Sequence, residues 1–295
     1  MGHGEGSTVT HRTGTGRTGL RRGGLGVLAA LAVLAGLMPG VPVVLAKPAA
    51  PLSDDAVVAA YNAWAGRVSS LRSGGKAVLG APDQSDRVFR FALVLARPDL
   101  VRLQGRWGNL TTLFDLAARG DAWTLLLPRE HKVARSTDAW DRAGLLLPPR
   151  EVTAAVLPRT IDPVHLRANG AVAREAGRLR VVVPPRDAGE VHRVLWLDVV
   201  TGLPHRMDVR RTSQLETPIM TAAYTGYREW GKVFFPARIE VRSTGGWATL
   251  EFETVKLGEA ADPRRFTILV PPGTREVALE TLDPGFLPEG GAEDE

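Results

Sequence analysis

Cysteine is absent from all 295 residues. That absence removes a disulfide framework, a Cys-based zinc or iron–sulfur site, a thiol nucleophile and the acylated cysteine of a lipid-anchored protein. Histidine is almost as scarce. Beyond residue 46 only His131, His165, His192 and His205 occur, and none has a His or Glu at the spacing that sets two metal ligands on one helix or strand face. The His131 stretch, Arg129-Glu130-His131-Lys132, suits a solvated loop, and His192 and His205 could meet across a hairpin only as a pair without a carboxylate. No Gly-x-Ser-x-Gly elbow is present, and no Ser or Thr has the strand-turn-helix setting that exposes a nucleophile. The acid pairs Asp83/Asp86, Asp138/Asp141 and Glu251/Glu253 fall in turns, caps or on an outward strand face. No metal, no cofactor and no enzymatic activity is expected.

Charge of one sign is also in short supply. The net charge of +5 falls to +2 once residues 1–46 are set aside, because that segment holds Arg12, Arg17, Arg21 and Arg22 against the single Glu5. The remaining arginines are scattered rather than grouped with aromatics, so nucleic acid is not an expected partner. Gly14-Thr-Gly16-Arg-Thr-Gly19 matches a dinucleotide fingerprint in letters alone, for it lies in the basic leader with no preceding strand and no following amphipathic helix.

What the chain does have begins with an export signal. A basic Gly/Thr/Arg-rich stretch to residue 24 is followed by apolar residues from Leu25 to Ala46, ending Val44-Leu45-Ala46 before Lys47. Pro39, Gly40 and Pro42 interrupt the apolar run after about fourteen residues, the length of a signal core rather than a membrane span. Cleavage after Ala46 and a soluble periplasmic product are expected. Arg21-Arg22-Gly-Gly-Leu is a partial twin-arginine pattern that fits either bacterial export route.

Residues 47–287 are expected to form one domain, followed by an acidic disordered tail at 288–295. Ser53-Asp54-Asp55 offers a cap, and Val57, Ala60, Tyr61, Trp64, Val68 and Leu71 recur at helical spacing, so a helix is expected over about 54–72, stopped by Gly74-Gly75. From Lys76 the period changes to two. Phe89, Phe91, Leu93 and Leu95 alternate with Val88, Arg90, Ala92 and Val94, and Val101, Leu103 and Trp107 with Arg102, Gln104 and Arg106. Pro98-Asp99 and Gly120-Asp121 supply turns, so consecutive strands should pair as a meander. A helical insertion is expected from Ser136 through Leu147, with a second short helix over Arg150–Leu157, before alternation resumes through Leu257. The sum is a mainly β, α+β fold: one large curved antiparallel sheet of ten or eleven strands forming an open barrel, covered by an N-terminal helix and a helical lid.

So few helices leave two outcomes for the apolar face of the sheet. Either it packs on itself and its helices, or it keeps a concavity lined by Phe89, Phe91, Leu93, Leu95, Val101, Leu103, Trp107, Trp123, Leu125, Met207 and Ile239 that suits acyl chains.

Phe91-Ala-Leu-Val-Leu-Ala-Arg97-Pro98-Asp99-Leu100-Val101-Arg102-Leu103 resembles the signature of the bacterial outer-membrane lipoprotein carrier superfamily, the LolA- and LolB-like proteins, in which a strand ends in Arg-Pro. A Gly-Asp plus Trp element within Gly120–Arg135, the helical insertion, Leu197-Asp198-Val-Val-Thr201-Gly202-Leu203-Pro204, Phe235-Pro236-Ala-Arg-Ile239 and Asp262-Pro-Arg-Arg-Phe266 follow in the same order, over about residues 55–275. The resemblance implies an open β-barrel with a lid over a hydrophobic cavity, cargo of acylated lipoproteins or lipids, and exchange with inner- and outer-membrane partners by a monomeric carrier or chaperone. It also implies a gate at Arg97 and Pro98, the guanidinium donating to lid carbonyls, and the odd-numbered apolar residues as the cavity. On the same fold a second reading is open: an envelope-stress sensor or scaffold that recognises a protein or lipid without transporting it.

Overall fold

The structure, a computed structural model, describes residues 50–278 apart from 83–84, 109–110, 121, 137–148, 186–190, 214 and 244. The expected export signal, the first helix of the insertion and the acidic tail lie outside the described residues.

Helix α1 spans Asp54–Arg67. Ser53 caps it by accepting a hydrogen bond from the Ala56 amide at 3.3 Å, and Asp54 and Asp55 place negative charge at the positive end of its dipole. It ends five residues earlier than its periodicity suggests. Val68 already has non-helical dihedrals, and Gly74 and Gly75 lie inside strand β1 (Ser70–Gly80) instead of terminating a helix. The reason is cross-strand contact. A side chain at Gly75 would meet the Glu251 carbonyl oxygen at 1.9 Å, so the two glycines serve a bulge where β1 passes close to its neighbour.

The meander continues through β2 (Arg87–Ala96), β3 (Leu100–Trp107), β4 (Thr111–Arg119), β5 (Ala122–Leu127) and β6 (Lys132–Ser136). Helices α2 (Pro149–Val156) and α3 (Pro163–Asn169) follow, and then a second meander: β7 (Ala171–Glu175), β8 (Arg178–Val183), β9 (His192–Asp198), β10 (Pro204–Arg210), β11 (Met220–Trp230), β12 (Val233–Ser243) and β13 (Gly246–Leu257). Strand β14 (Arg275–Glu276) adds to the edge beside β6 in the parallel sense. All belong to one sheet, ordered β14-β6-β5-β4-β3-β2-β1-β13-β12-β11-β10-β9-β8-β7. The two meanders join where the first strand of one pairs antiparallel with the last of the other, and the far edges do not meet: an open barrel. Fourteen strands exceed the expected ten or eleven because short β6, β7 and β14, and the glycine-containing β1, have little alternating apolar pattern to announce them.

The period of two sets the inner face. Phe91 lies opposite Gly75 on one side and Gly105 on the other, Leu93 opposite Leu103, and Leu95 opposite Val101. Glycines make room for rings. A Cβ on Gly105 would stand 2.1 Å from the Phe114 ring, and Phe114 in turn sits edge-on to Phe89 at 5.4 Å between centroids. On the outer face arginines bind acids: Arg102 is bidentate on the buried Asp115 at 3.0 and 2.7 Å, and Asp208, fully buried, accepts from Arg206, Arg210 and Thr221. The segment Asp262–Thr267 crosses β3 and β4 on that side, with Phe266 buried and Arg102 Nη1 donating to the Arg265 carbonyl at 2.9 Å.

Candidate functional site

Three covering pieces rest on the inner face: α1, α2 and the strap that leads from α2 to α3. Val57, Tyr61, Trp64 and Ala65 of α1 are buried, and Trp64 Nε1 donates to the Phe234 carbonyl at 2.6 Å. The turn at Gly202, with φ of 74°, fits beneath the helix because a Cβ there would come within 2.7 Å of Ala60. The strap is buried more completely than a flap would be. Thr153, Ala154, Ala155 and Val156 at the end of α2 and Leu157 at the start of the strap are each no more than 3% exposed, and Ala155, Val156 and Leu157 belong to the same core as Phe91, Leu95, Tyr224 and Ile239. The concavity of the sheet is filled by the chain's own α2 end.

Side chains hold the end of α2 and the strap by their backbone. Tyr224 donates its hydroxyl to the Ala155 carbonyl at 2.8 Å, Tyr61 to the Arg159 carbonyl at 2.8 Å, and Asn62 exchanges two hydrogen bonds with the backbone of Ile161, at 2.8 and 2.7 Å. Arg97 completes the clasp: its Nη2 donates to the Ala65 carbonyl at the end of α1, at 2.9 Å, and to the Pro158 carbonyl of the strap. The geometry follows from position, since Arg97 comes directly after the last residue of β2 and ends the odd-numbered face that begins at Phe89. Burial pushes the hydroxyls of Tyr61 and Tyr224 well above their ordinary range, so they remain donors across the working pH range. Burial also lowers the Arg97 pKa, and the neighbouring positive charge of Arg159 adds to the effect.

Beside the clasp lies a cavity of about 380 Å³, bounded by Tyr61, the Arg97–Pro98 turn, strap residues 159–162, His165 and the inner residues Leu195 and Met207. Of the residues expected to line a cavity, Met207 borders it, and the expected gate residues Arg97 and Pro98 form its wall. Phe89, Phe91, Leu93, Leu95, Val101, Leu125 and Ile239 are gathered on the inner face but are packed, each at most 4% exposed. Leu103 packs half-buried against them. Trp107 stands apart at the end of β3, 42% exposed. Trp123 is buried and also borders a second hollow of about 550 Å³, between β4, β5 and the Phe266–Ile268 segment. His192 and His205 are not brought together: His192 pairs with Arg210 and His205 lies near Asp198, at opposite ends of the β9–β10 hairpin. Among the described residues no group of three or more His, Asp or Glu side chains could hold a metal ion.

Periodicity assigns Tyr61 to an apolar face and leaves Asn62, Tyr224, Arg159 and Arg193 unremarked. The one available signal was scarcity. A chain with three tyrosines that buries Tyr61 and Tyr224 and half-buries Tyr227, which donates to the Pro204 carbonyl, uses them for their hydroxyls as well as their rings.

The described residues thus define a class: an incompletely closed antiparallel sheet whose hollow is plugged by a strap of its own chain, with a polar-rimmed cavity at the clasp. The chain is similar to the LolA superfamily protein NE2245 from Nitrosomonas europaea, at 12% identity over 74% of this chain and 98% of that one, with a TM-score of 0.48. It is also similar to a putative outer membrane lipoprotein-sorting protein domain from Vibrio parahaemolyticus (13%, 67% and 88%, TM-score 0.45) and to a DUF1329 family protein from Desulfovibrio piger (11%, 72% and 96%, TM-score 0.47). No family model and no curated protein matches the sequence.

Proposed function

We propose that this protein is a periplasmic carrier or chaperone that binds the acyl chains of lipoproteins or lipids on the inner face of its sheet, displacing the strap as they enter. One observation carries the reading: besides its apolar packing, the segment that fills the hollow is fastened by side chains reaching its backbone carbonyls, with a bridging guanidinium at the mouth. Lifting such a plug costs a few hydrogen bonds, each about 1 kcal/mol, and the burial of Ala155, Val156 and Leu157, against which an acyl chain gains about 25 cal/mol for each Å² that it buries on the same face. Arg97 acts as the gate in this reading. Among the described residues no helix is long and apolar enough to cross a membrane.

Mass spectrometry of organic extracts from the natively purified protein tests it, beside a control of similar size handled identically. A stoichiometric acylated species is the expected result. The second reading, a sensor or scaffold on the same fold, draws on the same burial of the strap, because a hollow that stays filled leaves only the outside for partners. An empty extract together with no binding of a fluorescent fatty acid would select it.

A further inference from the structure

The side chains that fasten the end of α2 and the strap act almost wholly as donors. Tyr224 and Tyr61 give their hydroxyl protons to the carbonyls of Ala155 and Arg159, Arg97 Nη2 donates to that of Pro158, and Asn62 Nδ2 to that of Ile161. Of the four, only Asn62 also accepts, from the Ile161 amide. Two of these donors lie deep: Tyr61 and Tyr224 are each 1% exposed, in the same core as Leu195, Met207 and Ile239. A phenol buried there needs an acceptor, because no bulk water takes the place of one that leaves. Whatever displaces the strap inherits that demand. A plain hydrocarbon chain would cover the apolar face but orphan two hydroxyls, and the cost of burying orphaned donors offsets part of what the chain gains by burial. An ester carbonyl meets the demand. It accepts and brings no donor of its own, whereas an amide adds an N–H that a set of donors does not call for.

We propose that Tyr61 and Tyr224, with Arg97 at the mouth, form a strip of donors that the carbonyls of the α2 end and the strap occupy at rest and the ester oxygens of the cargo occupy in their place, so that the protein prefers acyl esters to ethers or hydrocarbons of equal length. The inference rests on the acyl-carrier reading, since the strip is free only once the strap is displaced, and it adds to that reading a chemical class of ligand. In the closed form the main-chain carbonyls stand in for the ligand. The cavity of about 380 Å³ beside the clasp is bounded by Tyr61, Arg97, strap residues 159–162, Leu195 and Met207, so the mouth presents donors and apolar wall together. That pairing suits a molecule with its acceptors at one end and alkyl chain beyond them. The cavity lies toward the small end of the ~300–1,000 Å³ of ligand pockets, so it holds the ester end and the start of a chain. The rest of the chain needs the space that the strap now fills.

The test is titration calorimetry on the purified protein with a matched pair of uncharged probes below their aggregation concentrations, 1-monolauroylglycerol and 1-O-dodecylglycerol. The two share head group and chain length and differ in the ester carbonyl. The ester should bind about tenfold tighter, as one or two buried hydrogen bonds provide. Tyr224→Phe removes one hydroxyl and keeps the ring, and should lower that ratio about threefold, while Tyr61→Phe in addition should bring it close to one. The ratio is the readout because a looser strap admits both probes alike. Leu157→Ala, which touches no donor, should tighten both and leave the ratio as it is, and hydroxyls with a structural role alone would also move both probes together. In the infrared, a carbon-13-labelled ester carbonyl should absorb at lower frequency bound to the wild-type protein than bound to Tyr224→Phe. Equal affinity for ester and ether overturns the strip and leaves the carrier reading standing. A ratio that survives in the double variant overturns it as well, by placing the discrimination elsewhere. Binding of neither probe removes both readings.

Discussion

Arg97→Leu keeps the volume at the end of β2 but removes the donor that joins the Ala65 and Pro158 carbonyls. Those acceptors are then left partly buried, a loss of about 2 kcal/mol. Faster amide exchange at residues 157–161, with little change in the central strands, is the expected outcome by hydrogen-exchange mass spectrometry. Protection unchanged across the strap would show that Arg97 does not fasten it. Tyr224→Phe isolates a second fastener, since the ring stays and only the hydroxyl that bonds Ala155 goes. A loss of about 1 kcal/mol in urea unfolding is expected. Asp198 makes a third residue-scale case. Its Oδ1 accepts from the amides of Val200 and Thr201 and from the Thr201 hydroxyl, at 3.0, 2.8 and 2.8 Å, closing the turn that seats α1 on Gly202. Burial opposes ionisation there, but these bonds outweigh it and hold the carboxyl below its ordinary value. A depressed acid stabilises the fold fully above the unfolded-state value, progressively less as pH falls through the carboxylate range, and not at all below its own value. Asp198→Ala should therefore lower the melting temperature at neutral pH and make little difference in strong acid.

At the scale of elements, the strap is where stability and function oppose one another. Leu157 is wholly buried on the inner face, so Leu157→Ala should cost about 2–5 kcal/mol through the cavity it leaves. If acyl chains compete with the strap for that face, the same substitution should raise the affinity for a fluorescent fatty acid. A variant that is less stable and binds no better would mean the strap does not yield. Gly75 in β1 carries the opposite kind of constraint. With the Glu251 carbonyl oxygen 1.9 Å from where a Cβ would sit, Gly75→Ala should force β1 and β13 apart and lower stability by about 2 kcal/mol or more, read as an earlier urea midpoint.

The whole molecule depends on one seam, because the pairing of β1 with β13 is what makes two meanders into a single sheet. The buried residues of both halves form a single core. Tryptophan fluorescence and far-ultraviolet circular dichroism should accordingly report one coincident unfolding transition. The open edges, β7 and β14, are short, which limits their capacity to pair with other chains.

Much of this architecture follows from the sequence by itself. Alternation at Phe89–Leu95 fixes both the strand and its inner face, since side chains two apart must share a side, and Ser53-Asp54-Asp55 fixes the start of α1 through local hydrogen bonding and charge. Arg97 was identifiable by its place at the end of that face and by likeness. The rest required the third dimension. Gly74-Gly75 look like a helix stop along the chain, and only the approach of β13 shows that they permit a strand. Whether the apolar face encloses a space or a packed core is decided by the strap, whose residues carry no period that announces where they will lie. The clasp and the cavity beside it unite residues far apart in the chain, such as Arg97 with Pro158, Ala155 with Tyr224 and Tyr61 with Arg159. Local pattern encodes which side of an element is apolar, because that is set by backbone geometry within a few residues. What meets that side is set by chain return over long separations, and only the folded structure decides it.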